Sequence, residues 1–279
     1  MTKEMQTVQV PDDCRAIALC GGPYSNFGAV AAFLAETATI SHRFCLGDIG
    51  GFGPHPNWTF EQLRSAQVQC LQGNYDYAIG HGERDCGCGY TDPQDQRFAQ
   101  ISYDYTFAHT AATHRAWLRT LPPLIRLVWR DRAVLLCHGS PEVMNDFVWE
   151  STTGDRWIED CLARYDVVGI CATHTGIPWM RQVDGGFWFN VGVLGRPAHE
   201  GSPHVYYGRL ELGTGDRAVS PVLVPLSYDV EAVAEQMAAV GLPPEFQDSL
   251  RSGVWTTCAE ILPPTEKVVR PRLGLAIAR

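Results

Sequence analysis

Short apolar runs separated by polar loops dominate the first half of the chain. Residues 15–20, 44–46, 68–71, 133–137 and 167–171 read as buried strands, since runs this short and apolar suit a strand covered on both faces. Between the first three lie two helical segments. One spans 26–36, with Phe27, Val30, Ala31 and Leu34 on one face, and the other spans 58–64. Strand–helix–strand–helix–strand is the pattern of parallel strands joined by crossover helices. Residues 77–95 interrupt that rhythm as an insertion, and helices are expected at 96–107 and 110–120. The second half is richer in hairpins. Strands at 125–129 and 133–137 flank Arg130-Asp131-Arg132, those at 179–183 and 187–191 flank Asp184-Gly185-Gly186, and those at 204–212 and 218–224 flank 213–216. Further helices are expected at 155–165, 230–240 and 244–252. An α/β chain of this order predicts two mixed β-sheets packed face to face with helices outside. A single domain is expected over residues 1–253. Residues 254–279 form a C-terminal extension without clear periodicity.

The polar loops follow the strands and carry the candidate chemistry. They are Gly47-Asp48, Gly73-Asn74-Tyr75-Asp76, His138-Gly139-Ser140-Pro141 and Thr173-His174-Thr175-Gly176. Open α/β sheets place their sites at such strand ends. Oxygen and imidazole donors suit a divalent transition metal such as Fe, Mn or Zn, so Asp48, Asn74, His138 and His174 are the candidate ligands. A fifth loop, Cys20 to Asn26, ends the first strand yet carries none of the usual ligands.

Composition narrows the partners. The net charge of −9 offers no basic block for nucleic acid or an anionic membrane. No stretch approaches the roughly 20 apolar residues of a membrane-spanning helix. The polar start lacks the apolar stretch of a signal peptide, so a cytoplasmic location is expected. Ten cysteines are scattered along the chain, and buried free thiols are the expectation for most of them. Cys86-Gly87-Cys88 is too closely spaced for a zinc knuckle, and a loop role is expected.

Together the motifs Gly47-Asp48-Ile49-Gly50-Gly51-Phe52-Gly53-Pro54, Gly73-Asn74-Tyr75-Asp76, His138-Gly139-Ser140-Pro141, the His174 loop and Asn190-Val191-Gly192 before Gly195-Arg196-Pro197 resemble the calcineurin-like metallophosphoesterase family, in particular its small bacterial members. The resemblance runs from about residue 15 to 252. It implies a four-layer αββα sandwich and a centre of two metals about 3.5–4 Å apart. It maps the bridging carboxylate to Asp48 and completes the second metal's set with Asn74, His138 and His174. The first metal's remaining positions read Gly22, Tyr24 and Gly176 instead of ligands. The implication is one well-formed metal site beside a degenerate one, with one metal per chain, or two if Tyr24 or the 77–95 insertion (His81, Glu83, Asp85) rebuilds the first.

On this basis the chain is expected to be a metal-dependent hydrolase of a small-molecule ester, either a phosphoester or a thioester or carboxylic ester. Tyr75 is the expected acid or oxyanion donor, with Asp76 as its partner. Gly22, Tyr24, Gly176 and Trp179 are expected to line a substrate pocket. The alternative is a non-catalytic protein that binds a ligand or partner in the old cleft. Neither nucleic acid nor membrane is expected as a partner, and self-association is left open.

Overall fold

Period-two alternation at the strand ends sets the layers. In the computed structural model, which describes residues 5–213 and 219–271, Ala18 and Cys20 of β2 (Ala16–Cys20) face one core while Ile17 and Leu19 face another. Cys45 and Phe44 of β3 (His42–Cys45) divide in the same way. A strand whose two faces are both buried must lie between layers.

Two sheets result. The five-stranded sheet has the order β11-β10-β2-β3-β4, where β4 is Gln69–Cys70, β10 Val205–Leu212 and β11 Val219–Leu226. The six-stranded sheet has the order β1-β5-β6-β7-β9-β8, where β1 is Met5–Val10, β5 Leu124–Trp129, β6 Arg132–Leu136, β7 Gly169–Ala172, β8 Trp179–Val183 and β9 Gly186–Asn190. β2, β3 and β4 run parallel, as do β6, β7 and β9, while β10–β11, β5–β6 and β8–β9 are antiparallel pairs. Ile17, Leu19, Phe44 and Leu46 meet Leu127, Leu136, Phe187 and Phe189 between the sheets. Helices α1 (Phe27–Glu36), α2 (Pro56–Ser65), α7 (Val230–Ala239) and α8 (Pro244–Ser252) cover one outer face, and α6 (Asp155–Tyr165) packs on the other through Ile158 and Leu162. The expected αββα layering is present.

Three local expectations are corrected. Residues 74–81 form helix α3 (Asn74–His81) rather than the start of a loop, because Tyr75, Ala78 and Ile79 give it a buried face and the Asp76 carboxylate caps it. The polar start contributes an edge strand, β1, paired in parallel with β5. The insertion also closes a disulfide between Cys86 and Cys88, while the eight other cysteines are free and all but Cys14 are buried. The turn of the third hairpin, residues 214–218, lies outside the described residues. Among the described residues no helix is long and apolar enough to cross a membrane.

Candidate metal centre

Asp48 leaves the end of β3, Asn74 opens α3, and His138 and His174 follow β6 and β7. Asp48 and His174 both sit in left-handed backbone, with φ of 55° and 31°. Side-chain-bearing residues avoid that region, and strain of this kind gathers at functional sites. The Asp76 carboxylate holds the loop in place. Its Oδ2 accepts from the backbone N–H of Asp48 (2.7 Å) and Gly73 (2.9 Å), and its Oδ1 from Ile49 (3.0 Å). Asp48 Oδ1 in turn accepts from the N–H of Tyr75 at 2.9 Å, leaving Oδ2 to face inward.

His138 is the hub. Its Nδ1 donates to the Leu46 carbonyl at 2.6 Å, which fixes the tautomer and leaves Nε2 pointing into the site. Around Nε2 stand Asp48 Oδ2 at 3.2 Å, Asn74 Oδ1 at 3.1 Å and His174 Nδ1 at 3.1 Å. The Asn74 amide is oriented because its Nδ2 donates to the Cys86 carbonyl at 2.9 Å and to Cys88 Sγ at 3.4 Å. Donor atoms of Asp48, His138 and His174 all lie within 4.8 Å of one another, and all three residues are buried.

Two carbonyl-type oxygens and two imidazole nitrogens therefore converge on one point with almost no hydrogen between them. Such a cluster needs a positive charge, either a proton or a cation. Without a cation the strain is visible in the titrating groups. Burial works to lower the His138 pKa, but the Asp48 carboxylate outweighs it and raises it. Burial, and then the neighbouring His138, pushes His174 down to about 3, against smaller pulls from Asp48 and from the Cys88 and Asn145 backbone. Burial and the adjacent Asp48 charge push Asp76 up to about 8, against the backbone N–H groups that favour its anion. A divalent metal relieves each of these conflicts, so the residues fit one. Asp48, Asn74, His138 and His174 would hold it.

The neighbouring half is filled, which corrects the expected pocket. A Cβ on Gly22 would come within 2.5 Å of Val193 Cγ1 and 2.9 Å of Tyr24 Cζ, and one on Gly176 would meet the Trp255 ring at 3.1 Å. Tyr24 is buried against Phe52 at a ring-centroid distance of 5.4 Å, and burial followed by the Asp48 charge raises its pKa, so it stands as a neutral phenol. Trp179 lies in the core, 6.1 Å from Trp188, and donates its indole N–H to the Val148 carbonyl. His81, Glu83 and Asp85 do not rebuild the first site. His81 and Glu83 are exposed, and Asp85 accepts from the N–H of Gly87 within its own loop.

Tyr75 and Asp76 also depart from expectation. The Tyr75 hydroxyl donates to Ser102 Oγ at 3.0 Å, away from the ligand cluster, so it is no acid there. Asp76 positions the Asp48 loop instead of partnering Tyr75.

The chain also recruits residues to which sequence reasoning gave no role. Trp255, from the extension, donates its indole N–H to the Pro197 carbonyl at 2.7 Å and stacks under the Arg196 guanidinium at 3.9 Å. Arg196 donates to the Thr257 carbonyl. Asp95 accepts from the N–H groups of Ala259 (3.1 Å) and Ile261 (3.0 Å). These contacts strap the extension across the vacated half. Gly195-Arg196-Pro197 was visible as a motif, but a tail without periodicity gave no sign of its partner.

No family model matches the chain. An uncharacterized protein of Methanocaldococcus jannaschii is 23% identical over 239 residues, spanning 81% of this chain and 93% of that protein. Among solved structures, a metallophosphoesterase from Sphaerobacter thermophilus is similar with a TM-score of 0.66 and 23% identity, covering 87% of this chain and 100% of that one. A hypothetical protein from Pyrococcus horikoshii is similar with a TM-score of 0.70 and 18% identity, covering 85% and 98%.

Proposed function

We propose that this chain, which has the metallophosphoesterase fold, is a phosphoester hydrolase working with one divalent transition metal held by Asp48, Asn74, His138 and His174. The observation that carries this reading is the convergence of Asp48 Oδ2, Asn74 Oδ1 and His174 Nδ1 on His138 Nε2 at 3.1–3.2 Å. When bound, a metal there supplies Lewis acidity toward a phosphoryl oxygen and a water of lowered pKa.

The chain's own residues do the rest. Leu46 holds a His138 proton on Nδ1, so in the neutral ring Nε2 is the lone pair that faces the site. Asp76 fixes the loop that aims Asp48, and Cys86 and Cys88 fix the Asn74 amide. A cleft of 480 Å³ lined by Asn74, Glu83, Arg84, Asp85, Met144 and Asn145 borders one of the four candidate ligands, Asn74. The fold's likeness to a metallophosphoesterase favours a phosphoester, so thioesters become the secondary substrate class.

The test is turnover of phosphodiesters, phosphomonoesters and acyl thioesters by protein reconstituted with Mn(II) or Zn(II). Phosphoester hydrolysis that disappears in Asp48→Ala together with bound metal is expected. Thioester hydrolysis alone, or equal turnover without metal, overturns the proposal. The filled first-metal half favours one competing reading, a non-catalytic binding protein, which no retained metal and no turnover would support.

A further inference from the structure

The Cys86–Cys88 disulfide touches the metal centre, and stability does not account for it. A bridge with one intervening residue closes a very small loop, so it constrains the unfolded chain little. Cys20 and Cys45, and Cys45 and Cys70, face one another across paired strands yet remain thiols. Bridging is therefore confined to the insertion.

Both bridged residues are buried, 4% and 7% exposed, yet the bridge borders a cleft. The two cysteines line a cleft of 560 Å³ with Tyr90, Arg97 and Gln100. Cys86 also borders the 480 Å³ cleft that reaches Asn74. Behind the bridge, Asn74 Nδ2 donates to the Cys86 carbonyl and to Cys88 Sγ. The Gly87 carbonyl between them accepts from Asn145 Nδ2 at 2.9 Å. Gly89 lies against Asn145 and Phe147, and the Phe147 ring is 4.4 Å from that of His174. One short loop thus bears on two of the four candidate ligands.

We propose that Cys86–Cys88 is a thiol–disulfide exchange site whose oxidation state sets the affinity of the metal centre through Asn74 and His174. The inference of coupling rests on the metal reading above, while the inference of exchange does not. The co-reactant is a dithiol. One of its thiolates attacks a sulfur of the bridge, the S–S bond breaks, and the released cysteine sulfur takes up a proton. The second thiol of the co-reactant then attacks the mixed disulfide and frees the other cysteine. Two electrons and two protons pass to Cys86 and Cys88, and the dithiol leaves as a disulfide. Once open, the loop no longer pins the Asn74 amide. Loss of a contact that orients a ligand typically weakens metal binding by about 10–100-fold.

The test uses the folded 279-residue chain. Native protein, with and without prior dithiothreitol, is alkylated and mapped by mass spectrometry. The half-buried Cys14 serves as the labelled reference in both samples. Mn(II) affinity is then read from the electron paramagnetic resonance of free Mn(II) for the oxidised protein, the alkylated reduced protein, and the variant Cys86→Ser/Cys88→Ser. Labelling of Cys86 and Cys88 only after reduction is expected, with about tenfold weaker Mn(II) binding in the reduced protein and in the variant. Unlabelled Cys86 and Cys88 after reduction, or both labelled without it, overturns the exchange site. Labelling with unchanged or tighter Mn(II) binding overturns the coupling. Failure of every form to bind Mn(II) overturns the coupling together with the metal reading, and the labelling still decides exchange by itself.

Discussion

Gly176→His restores the residue type that the family resemblance expects at this position, yet it should yield a less stable protein with no additional metal. Gly176 has φ of 73°, and a side chain in that region costs about 1–2 kcal/mol. Its Cβ would lie 3.1 Å from two atoms of the Trp255 ring, tighter than packed carbons tolerate, so the indole must move. That ring is tied by its N–H to Pro197 and by its backbone N–H to His199 Nδ1 at 2.9 Å. Breaking one such bond costs about 1 kcal/mol, and disturbing the packing around it adds a comparable amount. The total is about 3–4 kcal/mol. For a chain of 279 residues, with an unfolding entropy of about 0.6 kcal/mol/K, Tm should fall by about 5–7 °C. Differential scanning calorimetry and metal analysis of the same sample check this. A variant as stable as the parent, or one that takes up an extra metal ion, would refute the view that the first-metal half is packed shut.

Three further outcomes follow from the centre's geometry. His138→Ala removes the hub contacted by Asp48, Asn74 and His174, and phosphoester turnover should drop at least 100-fold with loss of the metal-induced rise in Tm, both measured on reconstituted protein. His174 has its folded pKa lowered to about 3, so the unfolded chain binds the proton first, and stability from this group is present above pH 6.5 and lost as pH falls toward 3. In metal-free protein, urea denaturation of the parent and of His174→Gln should therefore show the parent losing about 2 kcal/mol more than the variant between pH 7.5 and 5.0, and parallel curves would contradict the buried neutral imidazole. Tyr75→Phe removes a hydroxyl that bonds Ser102 and Ala99, so turnover should stay within about threefold while stability falls by about 1 kcal/mol, and a large loss of turnover would return Tyr75 to the reacting groups.

The layers and the cluster of candidate ligands were legible for the same reason. The unbroken apolar runs at 17–20 and 44–46 specify two covered faces, and a polar residue directly after such a strand has few places to go. Asp48, Asn74, His138 and His174 each follow a strand, and the structure brings all four together. Tyr75 misled because a turn and the first turn of a helix look alike over four residues, and only the helix carries the phenol toward Ser102. Gly22 and Gly176 announced missing ligands but not what replaced them. That depends on Val193 and on Trp255, whose segment shows no periodicity because it is tied down by Arg196, Asp95 and Pro197 from distant parts of the chain. The Cys86–Cys88 bridge was equally hidden, since spacing alone does not distinguish two thiols in a loop from a disulfide.

Metal content is the most direct measurement. Protein stripped with chelator, reconstituted with excess Mn(II) or Zn(II) and freed of unbound ion should carry one metal ion per chain by plasma mass spectrometry, and His138→Ala should carry none. Two ions per chain would contradict the packed first half, and none in the parent would contradict the centre itself.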